Sequence, residues 1–125
     1  MLSHNKSVGA GGEAFARNYL DKIGYIIIDT NVYSRWGEID IVAKKGVKIY
    51  FIEVKTRHFM RQGLPYEAVR IPKLFHLMRS IQHYIKTHNL DKYRFQLDVI
   101  AIILNHDQSL KELKHYENVE VDRFF

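Results

Sequence analysis

The run Val99-Ile100-Ala101-Ile102-Ile103-Leu104 constrains the fold more than any other stretch, because it is six apolar residues in succession, most of them β-branched. A strand with one wet face alternates apolar and polar side chains, so an uninterrupted run reads as a strand buried on both faces. Such a strand belongs inside a sheet flanked by other layers, and two helical patterns elsewhere in the chain can supply them. In Glu13-Ala14-Phe15-Ala16-Arg17-Asn18-Tyr19-Leu20, apolar residues at helical spacing point Phe15, Tyr19 and Leu20 inward. Ile23 continues the stripe and Gly24 closes the helix. In the second pattern Pro72 suits a first helical turn, and Leu74, Leu77, Met78, Ile81 and Ile85 follow on one face.

The remaining segments read as strands. Tyr25 to Asn31 is short and β-branched, and Gly37 opens a second strand. Lys45-Gly46 is expected to turn into a third from Val47 to Arg57, giving an antiparallel meander. Tyr93 to Leu104 contains the apolar run, Asn105-His106-Asp107 is the next turn, and a weaker strand is expected over Leu113 to Val119. The expected fold is α/β, in the order α-β-β-β-α-β-β, a mixed sheet flanked by helices. At 125 residues, with no repeat or low-complexity linker, the chain fits one domain over 1–125.

Composition excludes several classes of chemistry. The absence of cysteine removes disulfides, thiolate catalysis and thiolate metal sites together. The seven histidines contain no His-Glu-x-x-His pattern and no pair four residues apart, which argues against zinc. No Gly-x-x-x-x-Gly-Lys loop or Gly-x-Gly-x-x-Gly turn occurs, which argues against nucleotide hydrolysis and dinucleotide chemistry. No apolar run approaches the length of a membrane span and nothing reads as a signal peptide, so a cytoplasmic protein with no membrane partner is expected. The net charge of +5 favours a polyanionic partner, with basic residues spread along the chain rather than gathered in a tail.

Two acid-bearing stretches carry the chemistry. A period of two places Glu38 and Asp40 on one side of Gly37-Glu38-Ile39-Asp40, and Glu53 and Lys55 on one side of the next strand. If Lys45-Gly46 is a two-residue turn, Lys44 pairs with Val47, Glu38 falls opposite Glu53, and Asp40 opposite Phe51. Asp40 and Glu53 are then diagonal neighbours on one face. Magnesium takes oxygen ligands and often only one or two carboxylates, so Asp40 and Glu53 can supply a site, with Glu13 on the first helix completing the shell. Lys55 can orient a metal-bound water and stabilise charge on phosphoryl oxygens. The plainer reading of the same pattern is the polar face of a half-exposed sheet, with Glu53 paired to a lysine. Asp98, among apolar neighbours, reads as a structural hydrogen-bond partner at least as well as a ligand. Trp36 and Tyr33 can stack on an unpaired base or simply cover a sheet edge.

Gly12-Glu13, Asn31, Gly37-Glu38-Ile39-Asp40, Glu53-Val54-Lys55-Thr56-Arg57, Gly63, Pro65 and Lys73 together resemble the YraN-like family of small bacterial proteins, over nearly the whole chain. That family resembles a branch of the restriction-endonuclease-like superfamily, similar to archaeal Holliday-junction resolvases with an aspartate followed by a glutamate-x-lysine. The resemblance implies a restriction-endonuclease-like core and a catalytic set of Asp40, Glu53 and Lys55 with Glu13 as the helical carboxylate. It implies Mg2+, with Mn2+ as a substitute, at Asp40, Glu53 and Glu13, and DNA as the partner. Arg57, Arg61 and Lys73 suit phosphate contacts, which set register without reading sequence. Ile39 stands before Asp40 where many members of the superfamily have proline, a common variation. Gln62 and Tyr66 match the spacing of an exonuclease Gln-x-x-x-Tyr signature, but Gly63 and Pro65 between them indicate a loop. Junction resolution uses paired active sites, so a homodimer is compatible with this reading. The alternative function is a nucleic-acid-binding or protein-interaction module that keeps the nuclease fold without cleaving.

Overall fold

The computed structural model describes residues 4–59 and 71–119, the side chains of 4–10 and 71–74 excepted. Helix α1 (His4–Lys22) leads into strands β1 (Ile26–Ser34), β2 (Gly37–Lys45) and β3 (Lys48–His58). Helix α2 (Ile71–Thr87) follows, then β4 (Arg94–Leu104) and β5 (Leu110–Tyr116). The fold is α/β in the expected element order, and its single described sheet runs β1-β2-β3-β4-β5. Neighbours are antiparallel except β3 and β4, which run parallel with α2 as their crossover.

The helices cover opposite faces. Phe51 packs with Leu77, Ile81 and Tyr84 of α2, whereas the next residue, Ile52, packs with Ala16 and Leu20 of α1. Strand β4 lies between β3 and β5 and contributes Leu97 to one cluster and Ile100, Ile102 and Leu104 to the other. Within its apolar run Val99 and Ala101 are buried on the face away from Ile100, Ile102 and Leu104, and Ile103 is half-buried, so both faces are covered as continuous hydrophobicity requires. Pro72 does fall in the first turn of α2, where its missing N–H costs nothing. Helix α1 ends at Lys22, and Gly24 (φ +96°) reverses the chain while the amide of Tyr25 reaches back to Leu20 O at 2.9 Å. Ile23 does not continue the buried stripe; it lies past the helix end and is 40% exposed.

The β2–β3 hairpin departs from the expected register. Gly46 (φ 64°) takes the first central position of a two-residue turn with Val47, the place a type II′ turn reserves for glycine. Lys45 therefore pairs with Lys48, and Ile41 with Ile52, two residues away from the Lys44–Val47 register. A slip of two preserves which side chains share a face, whereas a slip of one would have reversed them. The last strand also begins earlier than expected, at Leu110, because the turn closes through Ser109 with bonds from Asn105 N to Ser109 O and from Gln108 N to Asn105 O.

Candidate active site

The β2–β3 ladder is paired from Lys45–Lys48 to Ile41–Ile52. One step further the two facing residues are Asp40 and Glu53. In place of a continued ladder, Asp40 Oδ2 accepts the amide proton of Val54 at 2.7 Å. A carboxylate thus occupies the seam between two strands, next to a glutamate that is only 2% exposed.

A break in alternation puts it there. Ile39 packs on the α2 side and Ile41 on the α1 side, although a regular strand would send both to one face. The cause lies opposite, in β1. Thr30 pairs with Ile41 and Val32 with Ile39, which leaves Asn31 facing Asp40, and Asn31 has φ 51°. Asparagine tolerates the left-handed conformation better than other side chains with a Cβ, and a residue so placed twists the strand locally. The same backbone turn aims the Asn31 amide at two acids. Its Nδ2 donates to Glu38 Oε2 at 2.8 Å and to Glu13 Oε2 at 3.1 Å.

Glu13 arrives from α1, which comes close to β3 because Gly12 has no side chain. A Cβ there would overlap the Thr56 hydroxyl, which is itself buried without a hydrogen-bond partner among the described residues. Four carboxylates from three elements are thereby gathered around one region: Glu13 (7% exposed), Glu38, Asp40 and Glu53. Arg17 pairs with Glu13 at 3.5 Å and offsets part of that charge. Lys55 is half-buried two residues beyond Glu53 on β3, about 7 Å along the strand.

The crowding has an electrostatic consequence. Burial and then the neighbouring Glu53 charge push the Asp40 carboxyl up to about 8, against the opposing hydrogen bond from Val54 and with smaller contributions from Glu38 and Glu13. The Glu13 carboxyl is also raised, chiefly by burial, with the Asn31 hydrogen bond and Arg17 opposing. Excess negative charge that holds a proton near neutral pH is an environment in which a divalent cation can replace that proton. No group of three or more His, Asp or Glu residues among those described is set as a metal site. Two carboxylates suffice for magnesium, since water and phosphate oxygens complete its octahedron. The oxygen-only donor set of Asp40 and Glu53 fits that ion.

The expected site residues Glu13, Asp40, Glu53 and Lys55 thus fall in one neighbourhood, and Glu38 and Asn31 join them. Glu38 was expected to share a face with Asp40 and Asn31 carried part of the family resemblance, but neither had been assigned to the catalytic set. Glu38 shares the acidic run with Asp40, and an asparagine inside a β-branched strand is itself a signal, since that residue is depleted in strands and favours the left-handed region. Among the expected phosphate contacts, Arg57 is exposed and donates from Nη1 to Thr56 O at 2.8 Å. Lys73 lies in the first turn of α2 with its side chain outside the described residues. Arg61 lies outside them entirely, as do Gln62, Gly63, Pro65 and Tyr66.

Asp98 is fully buried and structural in its contacts. It accepts from Gln96 Nε2 (2.8 Å) and Asn118 N (2.9 Å) and lies 2.7 Å from His115 Nε2, whose Nδ1 is 2.8 Å from the Tyr19 hydroxyl. This network ties β4, β5 and α1 together. No described helix is long and apolar enough to cross a membrane.

Comparison with known proteins places this site in a family context. Residues 12–102 match the model of the uncharacterised protein family UPF0102, a stretch that holds every acid of the cluster. A UPF0102 protein of Clostridium tetani is 44% identical over 117 residues, covering 91% of this chain and 96% of that protein. One from Clostridium acetobutylicum is 43% identical over 114 residues (91% and 93%), and one from Dehalococcoides mccartyi is 39% identical over 113 (90% and 93%).

Proposed function

The chain belongs to the UPF0102, or YraN-like, family, and from that membership together with the acid cluster we propose that it is a magnesium-dependent nuclease acting on structured DNA. The observation that carries this reading is the placement of Asp40 and Glu53 across the open seam of β2 and β3, one turn of the pleat from Lys55. Asp40 and Glu53 hold the ion, and manganese is an acceptable substitute. The bound cation would supply Lewis-acid polarisation of a phosphodiester oxygen and lower the pKa of a coordinated water. Lys55 positions the attacking water and donates to a phosphoryl oxygen as negative charge builds on it. Asn31 fixes Glu13 and Glu38, and Glu13 adds a further carboxylate to the field around the ion. The excess of basic residues favours association with a polyanion, and Arg57, Arg61 and Lys73 are assigned to phosphate contacts.

A second reading, a nucleic-acid-binding module without cleavage, draws on Asp40 being protonated near neutral pH with one oxygen already engaged by Val54. Cleavage assays separate the two. Four-way, nicked, duplex and single-stranded DNA are incubated with Mg2+ or Mn2+ and wild type, Asp40→Ala or Lys55→Ala. The nuclease reading expects at least one substrate to be cut, with each variant slower by about 100-fold or more. Equal cleavage by all three proteins, or none by any, overturns it.

A further inference from the structure

At the β2–β3 turn the sheet ends in a row of positive charge. Lys45 pairs with Lys48 across the antiparallel turn, and Lys48 pairs with Arg94 in the parallel register of β3 and β4. Residues in register on neighbouring strands point to one face, so three cations stand side by side on three strands, each about 4.8 Å from the next at the backbone. The face is the one that α1 covers, since Tyr50, two residues along β3 from Lys48, packs against the cluster of Ala16 and Leu20. Like charges directly opposite each other destabilise paired strands. Among the described residues no acid forms an ion pair with any of the three.

Aromatic rings hold the two lysines in place. Lys45 Nζ lies 4.9 Å from the Tyr25 ring centroid and Lys48 Nζ 5.9 Å from that of Tyr50, and the two rings meet edge to face at 4.8 Å. Tyr25 is buried, so the platform under Lys45 is fixed by the core and less side-chain freedom is lost on binding. A ring face that carries an ammonium group is not open to a base, so the surface suits phosphates rather than stacking. Lys22 closes α1 at the same end of the sheet and adds a further cation. Against this charge stand Asp21 beside Lys22, and Glu117, whose charge acts on the Tyr25 hydroxyl.

We propose that Lys45, Lys48 and Arg94 form a second contact surface for the phosphate backbone of a nucleic acid, remote from the carboxylates. Lys48 precedes Glu53 by five residues on β3, which is about 17 Å of strand. At that separation the row does not reach the phosphate held at Asp40 and Glu53; it grips a stretch about five base pairs away along a duplex. The surface deepens the proposed function, resting on it for a nucleic-acid partner and not for cleavage. Its contribution is affinity without reading of sequence.

The test compares two pairs of substitutions that remove equal charge. Lys45→Gln/Lys48→Gln strips the row while keeping apolar stems over the tyrosines, and Lys86→Gln/Lys114→Gln removes two cations from α2 and β5. Full-length proteins in EDTA are titrated into labelled duplex DNA by fluorescence anisotropy, from about 50 to 200 mM salt. The row pair is expected to bind about tenfold or more weaker at the lower salt, with the slope of log K against log salt reduced by about 2. The control pair should stay within about threefold of wild type, and Lys45→Arg/Lys48→Arg, which keeps the charge, should match wild type in affinity and slope. The row pair should unfold in urea at or above the wild-type midpoint, because a like-charge pair has been removed. No DNA binding by wild type, unchanged affinity in the row pair, equal weakening by the control pair, or lost affinity in the arginine pair overturns the inference. So does a row pair that loses binding to phosphatidylserine vesicles while binding DNA as before, which would assign the surface to a membrane. Metal-dependent cleavage is scored separately: binding that follows the row without cleavage removes the nuclease and keeps the surface, and cleavage with an unaltered row pair does the reverse.

Discussion

Replacing Asp40 with asparagine should make the protein more stable at neutral pH, and the gain should depend on pH in a defined way. In the folded chain the Asp40 carboxyl is pushed from its ordinary 3.8 up to about 8, first by burial and then by Glu53. Between those two values the native state binds more protons than the unfolded state, so wild-type stability falls as pH rises through the window. At pH 7 the carboxylate has been held protonated across roughly three pH units, which corresponds to about 4 kcal/mol of lost stability as a ceiling. Movement of Glu53 or uptake of a cation reduces that figure. The asparagine side chain would keep an oxygen for the Val54 amide while carrying no charge, so Asp40→Asn isolates the electrostatic component. Urea unfolding in EDTA, followed by Trp36 fluorescence at pH 4, 6, 7 and 8, measures the difference. The variant should exceed wild type by about 1 to 4 kcal/mol at pH 7, more at pH 8, and by less than about 1 kcal/mol at pH 4. A variant no more stable than wild type at pH 8, or a difference independent of pH, refutes the charge-crowding argument.

Three further perturbations test how the cluster is built. Gly12→Ala should destabilise by about 1–3 kcal/mol in thermal or urea unfolding because its methyl group would overlap Thr56, whereas Gly11→Ala, with nothing in reach, should stabilise by up to about 1 kcal/mol through helix propensity. Asn31→Gly keeps the left-handed backbone and loses the bridge between Glu13 and Glu38, for about 1–2 kcal/mol at pH 8; Asn31→Ala should cost about 1 kcal/mol more, and the reverse order would contradict the strain assigned to that residue. Thr56→Val removes a buried hydroxyl that has no partner among the described residues and should leave stability unchanged or raise it by up to about 1 kcal/mol in the same assay.

The parts legible in the sequence were those set by periodicity. The apolar run at Val99 to Leu104 demanded cover on both faces and has it, and the 3.6-residue stripes placed a helix on each side of the sheet. The hairpin register was displaced by two residues and not by one, so Asp40 and Glu53 remain neighbours across β2 and β3, facing each other where a diagonal pair was expected. Turn chemistry was harder to read: Lys45-Gly46 and Gly46-Val47 both satisfy a two-residue loop, and what decides is the positive φ needed at the first central position, which Gly46 adopts and Lys45 does not. The kink at Asn31 and Asp40 escaped because strand reasoning assumes constant alternation, and a single left-handed residue on the neighbouring strand suspends it. That kink brings Glu38 and Glu13 onto one amide and turns Asp40 into the seam, so the least regular residue of the sheet organises the site.

The central claim is that Asp40 and Glu53 lodge a divalent cation beside Lys55. Calorimetric titration of the metal-free protein with MgCl2 at pH 7, repeated in two buffers of different ionisation enthalpy, reads it most directly. One ion should bind near millimolar concentration with release of a fraction of a proton or more, because the ion displaces the proton held at Asp40, and Asp40→Asn should weaken binding about tenfold or more and abolish the proton release. No saturable heat up to tens of millimolar magnesium, about 10 times the expected range, or binding that Asp40→Asn leaves unchanged, would contradict the account.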